Sequence, residues 1–129
     1  MYSMKETCKQ VNMSYETLKF YCNKGLIPNV KRDQNNFRVF DEKDIAWIKS
    51  LVCLKKCGFS IQDMKVYLKM CLDGPQTIAE RKEMLAKKQK ILFEELKKVQ
   101  ESIDYINWKQ QFYDDVLSGK IEYVSNLTN

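Results

Sequence analysis

Apolar and polar positions follow helical spacing over most of the 129-residue chain. Met4, Cys8 and Val11 share one face of a first short helix, about Ser3–Gln10. Leu18, Tyr21 and Cys22 share a face of a second, from Ser14 to about Lys24. Ile45, Ile48, Leu51, Val52 and Leu54 mark a third over about Glu42–Cys57, and Ile61, Met64, Leu68 and Cys71 a fourth over about Ile61–Leu72. From Thr77 to about Ser118 the period changes. Ile78, Leu85, Leu92, Val99, Ile106 and Tyr113 recur every seven residues. Leu96, Ile103 and Leu117 hold the complementary position, which Lys82, Gln89 and Gln110 interrupt. A sustained seven-residue apolar repeat predicts a coiled-coil seam. At ~1.5 Å per residue this helix reaches roughly 60 Å, longer than the core of the preceding segment requires. Such a stripe left bare is poorly soluble, so it predicts a partner, most simply the same helix of a second chain.

Local chemistry sets the boundaries between these helices. Ser3/Glu6, Asp41/Asp44, Ser60/Asp63 and Thr77/Glu80 each place a capping residue three positions before an acid. The first side chain takes an orphan amide and the acid sits near the positive helix end. Gly25, Gly58, Gly74 and Gly119 fall where helices should stop, and Pro28 blocks continuation of the second. Asn12 turns the chain between the first two helices, a connection short enough for a helix-turn-helix unit. Beyond Pro28, Lys31 and Arg32 precede Asp33-Gln34-Asn35-Asn36, followed by Phe37-Arg38-Val39-Phe40. Asparagine tolerates positive φ, so this run predicts a basic hairpin turning at Asn35-Asn36. The fold class is mostly α, a winged helix-turn-helix head with a small β-hairpin wing. A second helix pair and a long C-terminal coiled-coil dimerisation helix complete it. Residues 1–74 form the head with its second helix pair, 75–118 the dimerisation helix, and 119–129 a tail without periodicity, expected to be mobile.

Charge adds a partner. The net charge is +5, and residues 1–58 carry all of it, with 11 Lys/Arg against 6 Asp/Glu. Residues 59–129 hold 11 of each. A cationic excess confined to one end favours a polyanion there. A helix beside a basic ribbon suits the groove of duplex DNA and its phosphate rail. The expected DNA-binding residues are Ser14, Tyr15, Glu16, Thr17, Lys19, Phe20 and Tyr21 on the second helix. Lys31, Arg32, Phe37 and Arg38 join them on the wing, and Lys55 and Lys56 at the end of the third helix. Arg38 stands out, because a planar guanidinium forks onto phosphate oxygens. The bland readings are a solvated helix face, a solubilising edge strand, and lysines that merely suit a helix C-terminus.

Other classes recede. Histidine is absent, which removes His-based zinc sites and His-dependent triads and dyads, and no phosphate-binding glycine loop occurs. No enzyme, cofactor or metal is expected. No run approaches the ~18–20 apolar residues of a membrane span, and the first ten residues have no apolar signal region. Five cysteines without framework spacing suit free thiols in a reducing cytoplasm. A coiled-coil adaptor without DNA affinity is the alternative reading, and a thiol enzyme using Cys53 or Cys57 a weaker one.

SYETLKFYCNKGLIP resembles the Ser-x-x-Thr-Leu-Arg-Tyr-Tyr-Asp/Glu-x-x-Gly-Leu-Leu/Ile run of the MerR family of bacterial transcription regulators. NNFRVF resembles that family's Asn-Gly-Tyr-Arg-x-Tyr wing. Lys19, Phe20, Cys22, Asn36 and Phe37 depart from the family pattern. The resemblance implies a homodimer paired through antiparallel long helices. It implies double-stranded promoter DNA that is distorted so that RNA polymerase can use it. Within the family, the chain looks like the short branch that includes AdhR and NmlR, linked to aldehyde and thiol stress. That branch has a cysteine five residues before the glycine of the second helix pair, where Cys53 stands relative to Gly58. Lys49 and Lys56 lie one turn away on either side and favour a thiolate, while the negative helix end opposes it. Cys53 is therefore the sensor candidate. Its bland reading is a buried core thiol, and a dithiol metal site with Cys57 is a further one.

Overall fold

The computed structural model describes residues 1–128. One short strand and two helices precede the expected hairpin, in the order β1 (Tyr2–Ser3), α1 (Met4–Val11), α2 (Tyr15–Asn23), β2 (Lys31–Arg32) and β3 (Arg38–Phe40). Then follow α3 (Glu42–Lys56), α4 (Ile61–Asp73), one 3-10 turn (Pro75–Thr77) and α5 (Ile78–Leu117). The strands form an antiparallel sheet in the order β1-β3-β2, with Tyr2 opposite Phe40 and Arg32 opposite Arg38. The pattern of the chain predicts the β2–β3 hairpin but not β1, which is only two residues long and is defined by its partner Phe40 rather than by local alternation.

Three of the four expected helix starts form reciprocal caps. Ser3, Asp41 and Ser60 each accept the N3 amide, while Glu6, Asp44 and Asp63 reach back to the cap amide. The fourth differs. Thr77 lies in the 3-10 turn begun by Pro75, and its hydroxyl donates back to the carbonyls of Met70 (2.6 Å) and Gly74 (2.8 Å). Thr77 therefore ends α4 rather than opening α5. Arg81 reinforces this by donating to Thr77 Oγ1 and to the Gly74 carbonyl (2.7 Å). Asn12, in the left-handed region at φ 53°, makes the tight α1–α2 turn.

Residues Met1–Gln89 pack as one unit. Its core joins Leu18 and Tyr21 of α2, Leu26 and Ile27 after it, Phe40 of β3, Ile45, Ile48, Leu51 and Leu54 of α3, and Met64 of α4. Trp47 Nε1 donates to the Leu26 carbonyl at 2.7 Å, fixing α3 against the segment that leads to the wing. The unit runs past residue 74 because the first turns of α5 are tied to it: Met84 packs on the core, and Lys88 pairs with Asp63 at 2.9 Å. The second unit starts at Lys90 and has no buried residue in its helical part. Its segment after Gly119 contains neither helix nor strand through residue 128.

Candidate nucleic-acid interface

Burial of Leu18 and Tyr21 fixes which side of α2 faces outward. Tyr15, Glu16, Lys19 and Phe20 are exposed, and Thr17 is half-buried. Ser14 is occupied in starting the helix. Its Oγ accepts the Thr17 amide (3.2 Å) and its hydroxyl donates to Thr17 Oγ1 (2.8 Å). Tyr21 does not belong among the outward residues. It lies three positions after Leu18 on the same helical face, is only 2% exposed, and its buried hydroxyl has no hydrogen-bond partner. Burial pushes its phenol pKa up.

The wing is a three-residue turn rather than the two-residue hairpin of an Asn-Gly sequence. The Asn36 amide donates to the Asp33 carbonyl, the Asp33 amide to the Phe37 carbonyl, and Asn36 takes the left-handed conformation at φ 65°. Asp33 Oδ1 locks the tip by accepting the amides of Asn35 (2.9 Å) and Phe37 (3.0 Å). Arg32 Nη1 donates to the Asn36 carbonyl at 2.8 Å, so that cation is held against the tip. Arg38 Nη2 donates to Asn23 Oδ1 at 2.8 Å, which couples the wing to the end of α2. Asn23 is a positioning residue that sequence reasoning missed, since its partner lies 15 residues away. Phe37 stands 68% exposed beside them.

Lys31 behaves differently from its neighbour. It pairs with Asp41 at 2.9 Å and lies 3.8 Å from Asp44, so its charge is directed back to the start of α3. Lys31 is raised above its ordinary pKa, and the same hydrogen bond holds Asp41 down at about 2. Its expected role on a phosphate is thus opposed by an ion pair on the protein. Lys55 and Lys56 are exposed at the end of α3. Lys55, Glu16, Thr17 and Phe20 line the same cavity of about 450 Å³, floored by Phe59 and Met64. A second cleft, of about 440 Å³, opens between the N-termini of α1 and α2 and the wing.

These residues lie in a recognisable frame. Residues 2–71 match the model of the MerR HTH family regulatory proteins. The chain belongs to the MerR family. As a MerR-family regulator it is 32% identical to an uncharacterized HTH-type transcriptional regulator of Haemophilus influenzae, over 87% of this chain and 83% of that one. It is 35% identical to the HTH-type transcriptional regulator AdhR of Bacillus subtilis, over 71% of this chain and 66% of that one. Its fold matches the crystal structure of HiNmlR, a MerR family regulator lacking the sensor domain, bound to promoter DNA. That match has a TM-score of 0.75 at 31% identity, covering 91% of this chain and 93% of the other.

In this MerR-family chain all five cysteines are free thiols. Cys8 and Cys22 pack against the core, and burial raises the pKa of both, although Arg38 and Arg32 oppose the rise at Cys22. Cys53 is exposed, which rules out the core reading of that thiol. It lines a cleft of about 340 Å³ with Lys49, Trp47 and Tyr67, the two aromatic rings stacked 6.4 Å apart. Cys57 is half-buried against the core. Among the described residues no His, Cys, Asp and Glu side chains gather as a metal site, and no helix is long and apolar enough to cross a membrane.

The expected seam is bare along its length. Ile78, Leu85, Leu92, Leu96, Val99, Ile103, Ile106, Tyr113 and Leu117 are 38–86% exposed. Tyr105, Trp108 and Phe112 lie near the opposite side of the helix, where their rings pack in sequence about 6 Å apart. Lys109 reaches over the Phe112 and Tyr113 rings.

Proposed function

We propose that this chain is a homodimeric, sequence-specific DNA-binding regulator that distorts promoter DNA in response to a stress signal. The observation that carries the proposal is the junction of α2 with the wing. The exposed side of α2 and the Arg32–Arg38 pair share one unit, and the Arg38–Asn23 bond fixes their geometry. In this arrangement α2 enters the major groove, with Tyr15, Glu16 and Lys19 against base edges, while Arg38 and Lys55 lie on phosphates. The match to HiNmlR, a MerR family regulator bound to promoter DNA, supports duplex DNA as the partner.

Dimerisation follows from the bare stripe of α5. Its charge pattern supports an antiparallel pair. Residues 78–97 hold six Lys/Arg against four Asp/Glu, and residues 98–117 two against four. Head-to-tail pairing sets the basic half of one helix against the acidic half of the other. Two heads at fixed separation then grip two half-sites, and RNA polymerase uses the distorted promoter between them. The signal enters at Cys53, whose exposed thiol beside Lys49 suits attack on an electrophilic aldehyde or oxidation under thiol stress.

Selection of genomic fragments by the purified protein tests the proposal, with and without an electrophilic aldehyde. Enrichment of a few inverted-repeat sites, altered by the aldehyde, is expected. Absence of enrichment leaves the chain as an interaction adaptor.

A further inference from the structure

We propose that the cleft between the N-terminus of α1, the N-terminus of α2 and the wing seats one phosphodiester of the duplex, with Lys5 as its third cation. This rests on the DNA-binding reading above and adds a contact from a helix that had looked like scaffold. Three cations, Lys5, Arg32 and Arg38, line the cleft, and none makes an ion pair among the described residues. The two guanidiniums each spend one N–H on the protein, at Asn36 and Asn23, which fixes their planes and leaves the remaining donors for an anion. The carboxylate in the lining, Asp33, is committed to the wing amides of Asn35 and Phe37. Tyr15 and Phe37, 56% and 68% exposed, supply flat apolar walls of the kind a deoxyribose packs against.

The position of Lys5 is itself informative. It is exposed in the first turn of α1, at the positive end of the helix dipole, where a cation is unfavourable. Ser3 and Glu6 already satisfy that helix start through their capping box, so Lys5 contributes nothing to it. A phosphate in the cleft supplies the anion that this placement lacks. Lys31, on the same strand as Arg32, is excluded from the role because it is bound to Asp41.

The test uses the full chain and a duplex that it selects from random-sequence DNA. Lys5→Ala should lose affinity several-fold at low salt and lower the slope of log affinity against log salt by about 0.9, the release of one condensed counterion site. Lys5→Arg should retain the slope, and Lys69→Ala on α4 should leave it unchanged. Neutral methylphosphonates placed one at a time along the duplex should reveal one phosphate whose replacement weakens the wild type more than it weakens Lys5→Ala, which still holds that phosphate through Arg32 and Arg38. A Lys5→Ala protein with the wild-type slope and the wild-type response at every phosphate overturns the assignment. Absence of any salt-dependent duplex binding by the wild type overturns the DNA-binding reading instead, so the two failures are distinguishable.

Discussion

The head and the C-terminal part of α5 solve the burial of apolar surface in opposite ways. The head hides Leu18, Phe40, Ile48 and Leu51 completely within one unit. Beyond Lys90 the helix hides nothing, although it carries Leu92, Leu96, Val99, Ile103 and Ile106. The same amino-acid types therefore mean different things in the two places. In the head they hold a fold together, and along α5 they are the exposed surface through which the proposed dimer would pair. Polar chemistry divides likewise. Reciprocal caps and the Lys31–Asp41 and Lys88–Asp63 pairs are satisfied inside the head, whereas α5 displays opposite charge on its two halves.

Breaking the interface should have the largest effect. Leu92→Glu places a charge in the seam, and a dimer-dependent regulator should then sediment as a monomer and lose most of its site-specific affinity. A dimer that survives this change contradicts the seam. The complementary change lies in the head. Phe40→Ala should cost about 3–5 kcal/mol of stability in denaturant unfolding, because it opens a cavity in a closed core. The same unfolding experiment should give Leu96→Ala a lower midpoint than the wild type, with both midpoints falling on dilution, as expected when stability depends on association.

Smaller effects separate the contacts within the head. Arg38→Ala should weaken binding across all DNA sequences and flatten the salt dependence, read by fluorescence anisotropy on specific and scrambled duplexes. Tyr21→Phe should leave both stability and DNA affinity close to wild type, since the hydroxyl it removes is buried and unpartnered. A large loss of affinity would return Tyr21 to the interface. The smallest effect concerns pH. Asp41 is held at about 2 when folded, against an ordinary 3.8. Its contribution to stability is therefore complete above about 4 and lost as pH falls toward 2. Asp41→Asn should remove that slope at low pH and lower the curve above about pH 5 by a constant amount, without adding any slope there.

Most of the fold was legible because its signals are local. Capping residues three positions from an acid, an asparagine at φ 53° and a seven-residue stripe depend on neighbours in the chain. The failures share the opposite property. Thr77-x-x-Glu80 carries the capping pattern, but Pro75 winds a 3-10 turn whose threonine hydroxyl reaches back seven residues to Met70. β1 exists only through Phe40 and Val39, far along the chain. Lys31 and Arg32 read alike as basic strand residues, yet Asp41 takes one and leaves the other at the wing. Tyr21 was expected both in the core, by its spacing from Leu18, and among the DNA contacts of the second helix, and packing decides for the core. Cys53 carries no local mark of exposure, since it lies between Leu51 and Leu54, both buried.

The bare stripe of α5 is the feature on which the proposed dimerisation, half-site spacing and promoter distortion all rest. Sedimentation equilibrium of the wild-type chain tests it most directly. The expected result is a species of twice the chain mass at micromolar concentration, and a monomer at that concentration would contradict the account.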